Sequence, residues 1–196
     1  MQDCFETLIS SYIATKVGVV ENFISLPLRI QLAAHLHQLH IDKLLAPAGV
    51  GNIQKLQNNQ AVRKDFIHWL DRKNNNPYET AFLVQIEAFI GYLNESCYAG
   101  ITGYEFHYSF YEKDAFYRKH LDQFQDNSSR QFSLISYLNP EWKLEDGGEL
   151  CVYQEKNIQK ISPSGGTTVF FKSNELLHEV LVTNQPRLSI TGWLKR

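Results

Sequence analysis

Apolar and polar residues alternate along the first half of the chain with the period of an α-helix. A first amphipathic helix is predicted where apolar side chains recur three and four positions apart, at Phe5, Leu8, Ile9, Tyr12 and Ile13. A second helix follows the start signal formed by Ser25 and Pro27, and its apolar stripe consists of Leu28, Leu32, Leu36 and Leu39. A third helix is predicted after Pro77, with a stripe of Phe82, Ile86, Phe89, Ile90 and Leu93.

A long loop is predicted between the second and third helices. The stretch APAGVGNIQKLQNNQ, from Ala46 to Gln60, is rich in glycine and amide side chains and contains a proline. Long loops inside compact domains often serve as functional lids. Its Gly49-Val50-Gly51 is too short for a dinucleotide-binding fingerprint, and no strand-turn-helix unit is predicted around it.

From about Tyr104 the period of the pattern changes from helical to two. YEFHYSFY and QFSLISYL alternate, and ELCVY, TTVFF and RLSITGW are short and rich in residues that favour strands. Turn signals at Asp146-Gly147-Gly148 and Ser164-Gly165-Gly166 separate these segments. Several short strands at near-regular spacing predict a sandwich or barrel. We therefore expect an α+β protein with helices first, about residues 1–100, and a barrel-like core over about residues 101–196.

Composition narrows the class of protein. A chain of 196 residues with 43% hydrophobic residues is expected to fold as one domain, residues 1–196. The formal net charge of -2 offers no overall attraction to nucleic acid or to a membrane surface. Cys4, Cys97 and Cys151 are odd in number and far apart, which favours reduced thiols over a disulfide framework. No signal peptide or membrane span is predicted, so we expect a cytoplasmic protein.

The segment FYRKHLDQF places His120 and Asp122 two residues apart. In an extended segment these side chains point to the same face and present an imidazole and a carboxylate to one point. The spacing alone is weak evidence, because roughly 0.3 such triplets arise by chance in a chain of this composition. His40 and Asp42 share the spacing but end a helical pattern, so they and the HLHQLH cluster are interpreted as solvated helix surface.

The last third of the chain supplies partners for this pair. His178 lies near a predicted strand start, and Arg187 begins the last predicted strand. Two histidines and one carboxylate occupy one face of an octahedral Fe(II) and leave three positions open, which a bidentate 2-oxo acid and dioxygen would fill. A 2-oxo diacid also needs its distal carboxylate held, and a guanidinium matches a carboxylate with paired hydrogen bonds.

Alternation assigns further residues to the same site. Ser189, Thr191 and Trp193 share the face of Arg187 on the last strand. On the strand QFSLISYL, Ile135 and Tyr137 share a face, so Ile135 could pack against the aliphatic part of the 2-oxo acid. The Tyr137 hydroxyl could donate to the carboxylate that Arg187 holds. The alternative is that Tyr137 is a core tyrosine.

The order of these motifs resembles the Fe(II)- and 2-oxoglutarate-dependent prolyl hydroxylases, in the branch of the hypoxia-type prolyl hydroxylase domain enzymes and their bacterial relatives. The resemblance is carried by the His120-x-Asp122 pair, YLNPEW, GGEL, His178, Arg187 and Trp193, and upstream by IHWLD. It covers at least residues 104–193. It implies a double-stranded β-helix (jelly-roll/cupin-like) core with N-terminal supporting helices.

The resemblance also implies roles for individual residues. His120, Asp122 and His178 would bind iron and form the catalytic centre. The 2-oxoglutarate co-substrate would be bound by Arg187, Tyr137, Thr191 and Ile135, with Tyr111 lining its pocket. The spacing from Tyr111 to His120 is one residue shorter than in the animal enzymes. Arg130 would lie at the substrate mouth, Trp193 would form an aromatic wall, and the loop from Ala46 to Gln60 would close over the target proline.

The implied activity is hydroxylation of a prolyl residue in a protein substrate, with Fe(II), 2-oxoglutarate and dioxygen, and ascorbate as an expected reductant. Bacterial members of the branch are thought to act on elongation factor Tu. The alternatives are a related oxygenase acting on another side chain or a free amino acid, and a non-catalytic binding module. A halogenase is disfavoured because Asp122 is present, and a nucleic-acid demethylase because Trp193 stands where its second arginine would be.

Four other residues are assigned no chemistry. Cys97, on a predicted helix, and Cys151, on a predicted strand, are expected to be packing residues. Asp65 and Asp71, around FIHWL, are expected to be solvated.

Overall fold

The computed structural model describes residues 2–49, 61–123, 128–155 and 157–196. The predicted helices are present as α1 (Gln2–Thr15), α2 (Leu26–Ile41) and α3 (Pro77–Cys97). Proline stands in the first turn of α2 and of α3, where its fixed φ suits a helix and its missing N–H costs no intrahelical bond. Asn76 caps α3, because its side-chain oxygen accepts from the backbone N–H groups of Tyr78 and Glu79.

Eleven strands are found in the described part of the chain. They are β1 (Val17–Val20), β2 (Ala46–Pro47), β3 (Asp65–Trp69), β4 (Gly103–Tyr111), β5 (Tyr117–His120), β6 (Arg130–Tyr137), β7 (Leu150–Gln154), β8 (Asn157–Ile161), β9 (Thr168–Lys172), β10 (Leu177–Val180) and β11 (Arg187–Lys195). A seven-stranded sheet has the order β1-β9-β6-β11-β4-β3-β2, and a four-stranded sheet has the order β5-β10-β7-β8. All the pairings are antiparallel.

The central strands of the large sheet separate two environments, because successive side chains point to opposite faces. On one face of β4, Phe106, Tyr108 and Phe110 join the buried core formed with the three helices. On the other face, Tyr111 packs in a second buried cluster with residues of the small sheet, such as Leu150 and Val180. The helices therefore cover one side of the large sheet, and the small sheet lies against the other side.

Gly192 marks the closest approach between β11 and β4. A Cβ atom built at this position would lie 2.2 Å from the Phe106 ring and 2.3 Å from the Glu105 carbonyl oxygen. Such distances are far below van der Waals contact, so a side chain would push β4 away. The glycine in RLSITGW therefore lets the two central strands and the buried Phe106 ring pack together.

Several expectations need correction. Ile13 is 72% exposed although the helical stripe includes it, and Cys97 is exposed rather than packed. Two strands, β1 and β3, lie in the half of the chain that was predicted to be helical. Ala46 and Pro47, at the start of the predicted loop, form β2, and residues 50–60 of that loop lie outside the described residues. None of the described helices is both long and apolar enough to cross a membrane.

The histidines of α2 are less solvated than expected. His37 is exposed, as the pattern predicts. His35 and His40 are half-buried: the Nε2 atom of His35 lies 3.3 Å from the buried Glu79 carboxylate, and the ring of His40 stacks on Phe110 at 4.1 Å. The HLHQLH cluster therefore partly packs against α3 and β4 and is not simply a polar surface.

Candidate metal centre and active-site cavity

His120, Asp122 and His178 lie together on the small sheet. His120 ends β5, Asp122 follows two residues later, and His178 on β10 stands directly opposite His120 in the antiparallel pairing. One ligand atom from each residue lies within 4.8 Å of those from the other two. Among the described residues this is the one such group of three or more metal-ligating side chains. Strand pairing therefore brings together residues that are far apart in the chain.

Backbone carbonyls orient both imidazole rings. The Nδ1–H group of His120 donates to the Arg118 carbonyl at 2.7 Å, and that of His178 donates to the Leu176 carbonyl at 3.0 Å. A carbonyl can only accept, so Nδ1 carries the proton and Nε2 faces Asp122 in both rings. The Nε2 atom of His120 is 3.4 Å from Asp122 Oδ1, and that of His178 is 3.5 Å from Oδ2. This is the arrangement of histidines that bind metal through Nε2.

Burial and mutual charge set the protonation of the group. Burial alone would raise the pKa of Asp122, but the charge of His178 and the contacts with both imidazoles hold that pKa well below its usual value. Burial alone would lower the pKa of His178, but Asp122 outweighs it and the pKa is raised. Burial and the charge of His178 lower the pKa of His120. Asp122 is therefore an anionic candidate ligand, held between the two imidazoles.

At the other end of the site Arg187 is buried, and no carboxylate among the described residues forms an ion pair with it. Its side chain is 1% exposed, and its Nε–H group donates to the Gly148 carbonyl at 2.9 Å. The guanidinium carbon lies 4.9 Å from the ring centres of both Tyr111 and Tyr137. Arg187 Nη2 and the Tyr137 hydroxyl are buried and have no hydrogen-bond partner among the described residues. Two neighbouring donors therefore lack an acceptor, which is costly unless a ligand supplies one.

One cavity of about 910 Å³ extends from the His-Asp-His group to Arg187. It is within the usual size range of pockets for small-molecule ligands. Nine of the ten predicted site residues line it, namely His120, Asp122, His178, Arg187, Tyr111, Ile135, Thr191, Arg130 and Trp193. The tenth, Tyr137, is buried beside Arg187. Ile135 and Thr191 are direct neighbours in the pairing of β6 with β11.

Arg130 and Trp193 form one wall of the cavity together with Glu105. The Arg130 guanidinium lies over the Trp193 indole, 3.4 Å from the ring centre. Its Nε–H group donates to Glu105 at 2.8 Å, and Nη1 donates to the Asp122 carbonyl at 3.1 Å. Glu105 also accepts from Lys195 at 3.1 Å. Arg130 is therefore a well-anchored wall residue that also contacts the backbone of the segment that carries the candidate metal ligand Asp122.

Several cavity residues were not predicted from the sequence. On β4, Glu105, His107 and Ser109 alternate with helix-facing residues and line the cavity together with Tyr111. On and before β3, Arg63, Ile67 and Trp69 follow the same period of two. That period could have identified the residues of β4, because the predicted cavity residue Tyr111 fixes the face of the others on its strand. Tyr117 was also missed; its ring stacks on His120 at 3.6 Å.

Asp65 is a correction, because it is 2% exposed and not solvated. Both of its carboxylate oxygens accept from Arg63, at 2.7 and 2.6 Å. The Arg63 guanidinium also lies 4.2 Å from the centre of the Tyr117 ring. The chain Asp65, Arg63, Tyr117 and His120 thus supports the first candidate metal ligand from β3. Asp71, by contrast, is exposed and caps a short 3-10 helix, as expected of a solvated residue.

Residues 106–195 match the model of the 2OG-Fe(II) oxygenase superfamily. This match indicates a 2OG-Fe(II) oxygenase domain over these residues, confirms the expected double-stranded β-helix core and agrees with the expected enzyme class, a 2-oxoglutarate-dependent dioxygenase. Within this class it is prolyl hydroxylase-like. A Pseudomonas putida prolyl-4-hydroxylase superposes with a TM-score of 0.88 and 28% identity, and the match covers 98% of both chains.

Two further proteins are similar to this chain. Prolyl 3-hydroxylase OGFOD1 of Xenopus laevis is 35% identical over 75 residues, which are 33% of this chain and 15% of that protein. A Trichoplax adhaerens prolyl hydroxylase, solved with a peptide of hypoxia inducible factor, superposes with a TM-score of 0.86 at 21% identity, covering 99% of this chain and 90% of that one. At that identity the likeness concerns the fold alone.

Proposed function

We propose that this chain is an Fe(II)- and 2-oxoglutarate-dependent dioxygenase that hydroxylates a prolyl residue in a protein substrate. The observation that carries the proposal is the pairing, in one cavity, of a His-Asp-His group with the two buried donors of Arg187 and Tyr137 that lack an acceptor. The His-Asp-His group suits Fe(II), and the donors of Arg187 and Tyr137 suit the distal carboxylate of a 2-oxo diacid. The P. putida prolyl-4-hydroxylase supports the choice of proline.

Each residue has a role in this proposal. His120, Asp122 and His178 would hold the iron, and a set of two histidines and one carboxylate leaves open positions for 2-oxoglutarate and dioxygen. Arg187 and Tyr137 bind the distal carboxylate of 2-oxoglutarate, with Thr191, Ile135 and Tyr111 lining its pocket. Trp193 and Arg130 form the wall against which the substrate is placed. The largely apolar lining keeps bulk water from the reacting groups.

The overall reaction converts 2-oxoglutarate, dioxygen and a substrate C–H group into succinate, carbon dioxide and a C–OH group. Bound iron and 2-oxoglutarate would supply the oxidising chemistry, and the protein supplies position and a dry cavity. We also propose a cytoplasmic location and ascorbate as a reductant. Elongation factor Tu is the first protein substrate to test, because bacterial members of this branch are thought to act on it.

The test is a visible spectrum of the purified protein with Fe(II) and 2-oxoglutarate under anaerobic conditions. The expected result is the weak charge-transfer band between iron and the 2-oxo acid. His178→Ala should lose the band because a metal ligand is gone, and Arg187→Ala should weaken it because 2-oxoglutarate binds less tightly. His37→Ala, which changes an exposed histidine of α2, is the control and should keep the band.

The outcome decides between the remaining functions. No band and no retained iron in the wild type would contradict the proposal and favour a non-catalytic binding module. A band with turnover of 2-oxoglutarate leads to mass spectrometry of proline-containing proteins, where a gain of one oxygen atom on proline is expected. Oxygen on another side chain, or on a free amino acid alone, would replace the prolyl assignment with that of a related oxygenase.

A further inference from the structure

A short chain of buried hydroxyl groups connects the metal-binding carboxylate to the opposite sheet. Ser133 on β6 donates from its hydroxyl to Asp122 Oδ2 at 2.6 Å. The hydroxyl of Ser173, just after β9, lies 2.9 Å from that of Ser133. Both serines are completely buried. Asp122 thus follows β5 of the small sheet, but its carboxylate is hydrogen-bonded to Ser133 of the large sheet.

The direction of these hydrogen bonds follows from the chemistry of the groups. Ionised Asp122 can only accept, so Ser133 uses its single proton for the carboxylate. Ser133 must then accept from Ser173, because it has no second proton. The backbone N–H of Gln123 also donates to the Ser173 carbonyl at 3.1 Å. Ser173 therefore holds the segment that carries Asp122 both through Ser133 and through the main chain.

We infer that Ser133 is a positioning residue that holds Asp122 Oδ2 so that Oδ1 is presented to the metal. The inference rests on the proposed iron site. Hydrogen-bond partners of metal ligands fix ligand orientation, and their removal commonly weakens metal binding about 10- to 100-fold. A carboxylate that offers one oxygen also leaves the three positions that 2-oxoglutarate and dioxygen require.

A matched serine is available as the control. Ser136 lies on the same strand, is buried like Ser133 and shares a hydroxyl hydrogen bond of 2.9 Å with Thr168. It points to the opposite face of β6, because three positions separate it from Ser133. Ser136→Ala therefore removes a similar buried bond without touching the metal-binding group.

The experiment titrates metal-free protein with Mn(II), which is stable in air, and measures thermal unfolding of the same metal-free samples. Ser133→Ala should bind Mn(II) about 10- to 100-fold more weakly than the wild type, and Ser136→Ala should bind it equally well. Ser173→Ala keeps the bond from Ser133 to Asp122 and should lose less affinity than Ser133→Ala. Thermal unfolding separates a loss of folding from a loss of binding.

The possible failures can be told apart. Wild-type affinity in Ser133→Ala, or an equal loss in Ser136→Ala, overturns the role of Ser133 and leaves the proposed function standing. If Ser133→Ala does not fold, Ser133→Cys keeps a small side chain with only a weak S–H donor, and wild-type Mn(II) affinity in that variant overturns the role of Ser133. A wild type that takes up no Mn(II) contradicts the iron site itself, and the role of Ser133 with it.

Discussion

The buried, unmatched charge of Arg187 leads to a prediction about stability as well as binding. Arg187→Met keeps the length and apolar stem of the side chain but removes the guanidinium. An unpaired buried ion costs several kcal/mol, and the lost charge-assisted bond to the Gly148 carbonyl is worth about 1.5 to 3 kcal/mol. The metal-free, ligand-free variant should therefore be more stable than the wild type by about 2 kcal/mol, which raises Tm by about 4 to 8 °C.

Binding should change in the opposite sense. Arg187 offers hydrogen bonds to a carboxylate from a buried, otherwise unpartnered Nη2 group, and each charge-assisted bond is worth about 1.5 to 3 kcal/mol. Losing two such bonds weakens 2-oxoglutarate binding by about 100-fold or more. A concentration of 2-oxoglutarate at about 100 times the wild-type Kd should stabilise the wild type by about 2.7 kcal/mol and leave the variant almost unchanged.

Thermal unfolding of the metal-free protein, of the protein with Mn(II), and of the protein with Mn(II) and 2-oxoglutarate measures both effects in one series. Lys195→Met is the control, because Lys195 also lines the cavity but is already paired with Glu105 at 3.1 Å. It should respond to 2-oxoglutarate like the wild type. The reasoning is refuted if Arg187→Met is less stable than the wild type without ligand and still shows the full 2-oxoglutarate shift.

Three further predictions concern stability. Burial and the charge of Arg63 lower the pKa of His107 from 6.5 to about 4, so between these two pH values only the unfolded chain binds this proton. The free energy of unfolding should therefore fall by up to about 3 kcal/mol as the pH is lowered from 6.5 to about 4. His107→Phe should reduce this pH dependence of the free energy of unfolding, measured with urea. The same pH dependence in the variant as in the wild type would contradict the role of His107. Asp65→Asn leaves Arg63 buried without its counter-charge and should cost about 3 to 5 kcal/mol in the same assay, whereas a cost near zero would show that the pair is solvated. Gly192→Ala should cost about 1 to 3 kcal/mol, because its Cβ would overlap the Phe106 ring, and a neutral result would contradict the close approach of β4 and β11.

The elements that could be predicted are those whose own sequence repeats a clear period. The apolar stripe of α3 and the alternation of β11 are both local patterns. The alternation of β11 predicts that Arg187, Thr191 and Trp193 share one face, and all three line the cavity. Strand β3 was missed because DFIHW is short and lies among helical patterns. Short strands depend on their neighbours, here β4 and β2, and carry a weak signal of their own.

The partners of a polar residue could not be predicted in the same way. Asp65 looks solvated in the sequence because it stands among polar residues, yet its pairing with Arg63 makes it a buried group. The bond from Ser133 to Asp122 joins two sheets, and no local pattern indicates it. Sequence periodicity gives the face of a strand, whereas the partner across the cavity depends on how distant strands pack.

The position of β11 also has a consequence for how the protein folds. β11 lies between β4 and β6 in the middle of the large sheet, although both neighbours come much earlier in the chain. Until β11 arrives, β4 and β6 each present an unpaired edge that could pair with another chain. Pairings between such distant segments raise contact order, so folding is expected in roughly milliseconds to seconds and not in microseconds. The strand that carries Arg187 is thus also the strand whose docking protects the nascent sheet from aggregation.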